Sequence, residues 1–322
     1  MLEKDIQKYF PQKVFQTTKI THSGNNTLFR VDSETGAYVL KQYFDHYEQW
    51  SRGISEFNAL SFLWNQEFRN VPKPIVFHEK DNIGVYGFID GTIVPGKEVN
   101  EEDIVAAANF LARLHSLGEE GKRQFGPASS ACLSLRDYIR VIDRRYARVS
   151  GFVKDTTPQQ TRKFVLEDVG RKIQSIKKRF ERDSEGLDLD KELSIEQQVL
   201  TPADFGFHNI LKNGLKYSFI DFEYFGRDDP ARQVLDFIHH GSSRYISQEM
   251  KELFVHEYLS GVNPAQKPSR ERLELLDDLT EMTWVLICLN ALNTDFNVHL
   301  DNRTEVAQNR IKEAQERLGG IE

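Results

Sequence analysis

The sequence predicts an α+β fold of two lobes, a small β-rich amino-terminal lobe and a larger, mainly α-helical carboxy-terminal one. Three observations carry that expectation. Short runs rich in β-branched and aromatic residues fill the chain before residue 90. From Gly91 onward apolar residues recur at helical spacing, and one β-rich island interrupts the helices near residues 198–221. At 322 residues the chain is too long for one ordinary core, and the change in texture divides it into 1–90 and 91–322.

Within the first lobe, Thr27–Val31 and Tyr38–Phe44 read as strands joined by a turn at Asp32–Gly36. His46 to about Gln66 reads as a helix, with Ile54, Phe57, Leu60 and Leu63 on one stripe and Glu56 beside it. Val71-Pro-Lys-Pro74 must end it, because proline pushes its predecessor into an extended shape. Pro74–His78 and Ile83–Ile89 complete the sheet around Asp81-Asn82, and Tyr86–Gly91 is the connector to the second lobe.

Glu101–Leu117 is then expected as a helix whose acidic first turn complements the helix dipole. Leu135–Val149 and Gln159–Arg182 are also helical in pattern, the second with a solvated charged face. The island comprises Gln198–Thr201, Asn209–Lys212 and Tyr217–Asp221, with Asn213-Gly214 as a hairpin turn. Leu273, Leu276, Leu279, Met282, Val285, Leu286, Leu289 and Leu292 form a helical core stripe.

Apolar residues at 39% and charged residues at 28% are the balance of a soluble globular protein. A net charge of −7 disfavours general nucleic-acid binding; it leans slightly toward a cationic ligand, although surface solubility explains the same number better. The opening MLEKDIQKYFPQK lacks a secretory pattern, and no segment approaches the roughly 18 apolar residues of a membrane span. Cys132 and Cys288 lie far apart in apolar patterns and read as reduced core residues, so a cytoplasmic protein with no membrane partner is expected.

The chemistry concentrates in Leu200–Leu211 and Ser218–Glu223. Phosphoryl transfer needs positioning and charge neutralisation more than covalent help. Asp204 can receive the proton of an acceptor hydroxyl, while Asn209, where a strand opens, turns an oxygen to Mg²⁺ and Asp221 returns beside it. Asp and Asn also favour turns for local hydrogen-bonding reasons; the joint pattern of loop Asp, strand-opening Asn, turn and strand-closing Asp favours the functional reading. Lys41 shares a strand face with Val39, and such a lysine needs a partner, either Glu56 or nucleotide phosphates, unless it snorkels to solvent. The loop Thr21-His-Ser-Gly-Asn-Asn-Thr27, with Gly24 and Asn26, is placed to cover phosphates with backbone N–H groups, although a plain turn explains it equally well.

These residues resemble the aminoglycoside phosphotransferase and choline kinase superfamily, which shares the protein-kinase-like fold. The resemblance spans Ile20 to Phe237 and is sharpest in Asp204-Phe-Gly-Phe-His-Asn209, Ile220-Asp-Phe-Glu223 and Asp229-Pro230. Tyr38-Val-Leu-Lys41, Ser55-Glu-Phe-Asn-Ala-Leu60, Gly87-Phe-Ile-Asp-Gly91 and Leu111-Ala-Arg-Leu-His115 support it. The resemblance implies a kinase that moves the γ-phosphate of ATP or GTP to a small-molecule hydroxyl, of an aminoglycoside, sugar or amino alcohol. Asp204 would be the base, Asn209 and Asp221 the Mg²⁺ ligands, Lys41 the contact to the phosphates and Glu56 its orienting partner. Val39 and the connector residues Gly87, Phe88 and Ile89 would line the adenine pocket.

Three departures accompany it. Pro202 stands where the family usually has a scaffolding His, Gln233 stands where it usually has an Asp (with Asp236 one turn on), and the phosphate loop is glycine-poor. A catalytically silent nucleotide-binding scaffold is the alternative those departures suggest. Only Phe222–Arg232 separates Asp221 from the next helix, too little for a peptide-docking segment. The histidines lack metal spacing, so His239-His240 read as structural and His208 as either structural or near the acceptor pocket; Glu223 reads as a structural hydrogen-bonding group, with a second metal-binding carboxylate as the alternative.

Overall fold

A computed structural model describes residues 3–20, 26–44, 51–293 and 303–321. Five antiparallel strands open the fold: β1 (Val14–Ile20), β2 (Thr27–Ser33), β3 (Gly36–Gln42), β4 (Pro74–His78) and β5 (Ile83–Gly87), in the order β1-β2-β3-β5-β4. One face buries Phe29, Val31, Leu40, Ile83 and Val85 against Ile6, Tyr9 and Phe10 of a 3₁₀ turn, a small core of its own. On the other face Lys41, like Leu40, is buried, so β3 is covered on both sides.

That second face is covered by α1 (Arg52–Asn65), which begins after Ser51; the expected start at His46 lies outside the described residues. Arg52, Gly53, Glu56, Ala59, Leu60, Phe62 and Leu63 are its buried positions, so Glu56 sits on the inward stripe rather than beside it. β1 has no counterpart among the expected strands, because its edge position leaves most of its side chains exposed and its sequence polar. The β2–β3 turn is tighter than expected, with Ser33 paired to Gly36, and β5 ends at Gly87 rather than Ile89.

The remainder is mostly helical: α2 (Glu101–His115), α3 (Glu119–Arg123), α4 (Leu135–Phe152), α5 (Gln159–Lys163), α6 (Gly170–Asp183), α7 (Pro230–His239), α8 (Gln248–Gly261), α9 (Arg270–Leu289) and α10 (Arg303–Gly320). Asn100 and Asp103 close a reciprocal capping box on α2. The single helix expected over 159–182 is continuous, but Phe164–Val169 within it is a π-helical stretch. α9 carries the predicted core stripe from Leu273 to Leu289 and packs on α4, α7 and α10; Leu292 follows in a short 3₁₀ turn. Cys132 and Cys288 are free and buried, and no helix among the described residues is long and apolar enough to cross a membrane.

The island forms two sheets instead of one. β7 (Val199–Thr201) pairs with β10 (Gly226–Asp228), while the hairpin β8 (Ile210–Asn213)–β9 (Lys216–Phe219) pairs with β6 (Thr92–Ile93) just past the connector. Asn213 pairs with Lys216, so the turn residues are Gly214-Leu215, not Asn213-Gly214. Gly214 takes the left-handed φ of +60° required at the first turn position, which glycine adopts without a Cβ penalty.

Candidate active site

Alternation builds the loop between β7 and β8. Phe205 and Phe207 point into the core, where Phe205 stacks on Phe110 and Phe219, and both meet Phe237 at centroid distances of 5.5 and 5.3 Å. Phe110 itself lies 3.7 Å from Phe219, so one aromatic column ties the loop to α2 and β9. With the phenylalanines inward, Asp204 and His208 stay partly exposed, and the Asp204 side chain retains 39% exposure. Asn209 closes a 3₁₀ turn immediately before β8 and is buried.

Asn209 Nδ2 donates to the Asp204 carbonyl at 3.0 Å, which directs its Oδ1 away from the loop. The Ile220 N–H donates to the Asn209 carbonyl at 3.0 Å and brings Asp221 back beside it. Asp221 does not end the strand as expected: it lies two residues past β9 with φ at +69°, a left-handed conformation uncommon outside glycine and concentrated at functional sites.

From the β-rich side, Lys41 Nζ reaches Glu56 Oε2 and Asp221 Oδ1, each at 2.7 Å, and Glu223 Oε2 at 3.5 Å. Burial works against the ammonium, yet Asp221, Glu56 and Glu223 outweigh it and hold the Lys41 pKa well above the ordinary lysine value. Burial also raises the Glu56 carboxyl, against the pull of Lys41. Glu56 accepts from Tyr43 Oη at 2.7 Å and from the Phe222 N–H at 3.3 Å, so it holds both the lysine and the backbone behind Asp221.

Glu223 is buried and accepts from Asn26 Nδ2 at 2.7 Å and from Arg52 at 3.3 Å. It thereby fastens Asn26, just before β2, and the start of α1 to the segment after β9; Gly24 lies outside the described residues. Val39, Gly87, Phe88 and Ile89 are half-buried around β3 and the connector, where Val39 pairs with Tyr86 and Gly87 with Tyr38.

Around Asp204 the structure brings together two side chains that spacing did not connect. His208 Nε2 lies 3.4 Å from Oδ2 and His240 Nε2 lies 3.3 Å from Oδ1, with the two rings stacked at 4.4 Å. Desolvation in the cleft raises the Asp204 carboxyl, but hydrogen bonds from His208 and His240 more than reverse it and keep it well below the usual carboxylate range. His240 caps α7, thirty-odd residues away, and no motif spacing marks it; Gly206 between the two phenylalanines is the single local sign that something approaches the loop closely.

Gln233, one of the departures, is bonded on both sides of its amide. Thr201 Oγ1 donates to Gln233 Oε1 at 2.6 Å, and Gln233 Nε2 donates to Asp228 at 2.9 Å, so this pair joins the loop to α7. Asp229 caps α7, with Pro230 in its first turn. Asp236 pairs with Arg232 at 3.3 Å and accepts from the Trp284 indole at 3.2 Å.

Oxygen donors therefore dominate one end of the site. The Glu56, Asp221 and Glu223 carboxylates lie within 4.8 Å of one another, and their three charges exceed the two of Lys41 and Arg52. Such a set of oxygen donors is of the kind Mg²⁺ takes, which prefers oxygen ligands and few of them from protein.

No curated protein matches the chain. The fold does recur in solved structures. Spectinomycin phosphotransferase in complex with ADP and spectinomycin is 13% identical with a TM-score of 0.64, over 98% of this chain and 96% of that one. The choline kinase LicA from Streptococcus pneumoniae is 15% identical with a TM-score of 0.64, over 99% and 97%. Amicoumacin kinase hAmiN in complex with AMP-PNP, Ca²⁺ and Ami is 13% identical with a TM-score of 0.60, over 98% and 96%. At such identities the likeness is one of fold. The sequence pattern of the phosphotransferase enzyme family, by contrast, matches residues 17–276, most of the chain, and the protein belongs to that family.

Proposed function

We propose that the protein is a small-molecule kinase that moves the γ-phosphoryl group of ATP or GTP to a hydroxyl of an aminoglycoside, sugar or amino alcohol. The observation that carries this reading is the convergence of Lys41, Glu56 and Asp221 at 2.7 Å contacts, from β3, α1 and the hairpin, next to Asn209 and the Asp204 loop. Lys41 would contact the nucleotide phosphates while Glu56 holds it in line. The half-buried Val39, Gly87, Phe88 and Ile89 would face the adenine, and the loop with Gly24 and Asn26 would cover the phosphates. This assigns 1–90 to nucleotide binding and 91–322 to catalysis and acceptor binding. The nucleotides in the spectinomycin and amicoumacin kinase structures support a nucleotide donor.

Asn209 Oδ1 and the second oxygen of Asp221 would hold Mg²⁺, which neutralises charge on the transferring phosphoryl group. Asp204, kept ionised and partly exposed, would align the acceptor hydroxyl and receive its proton. A nucleotide-dependent kinase of this kind fits a cytoplasmic setting. The experiment is phosphate transfer from labelled ATP and GTP, with Mg²⁺, across an acceptor panel of those three classes. Transfer that stops on Asp204→Ala supports the proposal; nucleotide binding with no turnover on any acceptor would favour the silent scaffold.

A further inference from the structure

Pro202 has no N–H and no side-chain donor, so the Asp204 carboxylate takes its partners from further away. Among the described residues those partners are His208, within the loop, and His240, at the end of α7. We infer that His240 is a positioning residue for Asp204, fixing the direction of its carboxylate by donating Nε2–H to Oδ1. The inference rests on the reading of Asp204 as the group that receives the acceptor hydroxyl.

The tautomer follows from the backbone. The Ser242 N–H donates to His240 Nδ1 at 3.0 Å, and an amide N–H can only donate. A ring nitrogen that accepts carries no proton, so the proton of the neutral imidazole is on Nε2, the atom 3.3 Å from Asp204 Oδ1. Neutrality agrees with the surroundings: burial lowers the His240 pKa below the ordinary histidine value despite the nearby Asp204. The 3.3 Å separation is long for a hydrogen bond, as is common for catalytic contacts before substrates bind.

Two aromatic contacts hold the ring in place. His208 stacks on it with an interplanar angle of 6°, and Trp284 meets it edge-on at 4.6 Å. Gly206 makes the approach possible: a Cβ there would stand 2.7 Å from His240 Nδ1, 2.8 Å from its Cγ and 2.7 Å from Ser242 Oγ. Gly206 has an ordinary extended backbone, so space and not conformation selects glycine here.

Asp204, His208 and His240 also have the composition of a transition-metal site, their ligand atoms lying within 4.8 Å of one another. The same tautomer argues against that use. A metal-binding His240 would need a bare Nε2 and a donating Nδ1, whereas Nδ1 accepts; and His208 Nδ1 is buried with no partner to orient the ring.

The test compares wild type with His240→Ala, His240→Gln and Gly206→Ala. Loss of one hydrogen bond to a charged group should lower kcat about 10- to 100-fold in His240→Ala with nucleotide KM unchanged. His240→Gln, which offers an amide donor, should recover much of that loss, and Gly206→Ala should lower kcat by displacing the ring. Equal kcat in wild type and His240→Ala overturns the inference. So does an equal loss in the Ala and Gln variants that tracks their melting temperatures. Proton–nitrogen correlation spectra of the wild-type imidazoles decide independently of turnover. A proton on His240 Nε2 upholds the hydrogen bond, even if no acceptor is phosphorylated and the kinase reading falls; a proton on Nδ1 overturns it whatever the activity.

Discussion

Two charged centres, at Lys41 and at Asp204, are stabilised in opposite ways. At Lys41 a buried cation meets the carboxylates of Glu56, Asp221 and Glu223 directly, and its side chain is 8% exposed. At Asp204 a partly open carboxylate faces two imidazoles, of which His240 is held neutral by its own neighbours. Under the proposed kinase reading, the first arrangement would hold a phosphate tail in a fixed place, and the second would leave an anion aligned but accessible to an incoming hydroxyl. Adjacent residues repeat the contrast: His239 places both ring nitrogens on carboxylates, Asp277 at 2.7 Å and Glu281 at 2.8 Å, whereas His240 accepts at one nitrogen and donates at the other.

If Asp204 serves chemistry more than the fold, Asp204→Ala should reduce phosphate transfer by about 10²–10⁴ while the melting temperature stays close to wild type. A melting loss as large as that of a core substitution would erase the contrast. Lys41→Met should in addition destabilise the fold, by about 3–5 kcal/mol at neutral pH, because it strands buried carboxylates without their cation. Denaturant unfolding at two pH values checks this: the loss should shrink in acid as those carboxylates take up protons.

The histidine pair sharpens the comparison through pH. Burial works against the His239 imidazolium, but Asp277 and Glu281 push it up to about 9, above the unfolded value of about 6.5. Its contribution is therefore complete below about pH 6.5 and is lost as pH rises through about 9, an effect of roughly 1–3 kcal/mol. His239→Gln should flatten denaturation midpoints measured across that window. The smallest effect is expected at the join between the loop and α7. Thr201→Val removes the donor to Gln233 and should destabilise by about 1–2 kcal/mol, read from the midpoint of urea unfolding.

Much of the architecture was legible in the sequence because it follows local rules. The α9 stripe from Leu273 to Leu289 has helical period, and β2, β3, β4 and β5 announce themselves by β-branched and aromatic residues, whereas α1 ends at Asn65, before Pro72 and Pro74 are reached, with Glu67 at φ +60°. β1 did not announce itself, since an edge strand with exposed side chains carries no apolar alternation. The π stretch in Phe164–Val169 also escaped, because one extra residue per turn barely alters the apolar spacing over six residues.

The site divides along the same line. Asp204, Asn209 and Asp221 lie within one loop and one hairpin, so residue type and spacing determined by themselves that these groups would gather. Lys41 and Glu56 were connected by strand alternation and the following helix. Only the tertiary structure decided that Glu223 would bind Asn26 and Arg52, that Thr201 would answer Gln233, and that His240 would reach Asp204 over Gly206. Hydrogen bonds between distant segments leave no period in the chain; they exist once packing has set the distance and a neighbour has set the tautomer.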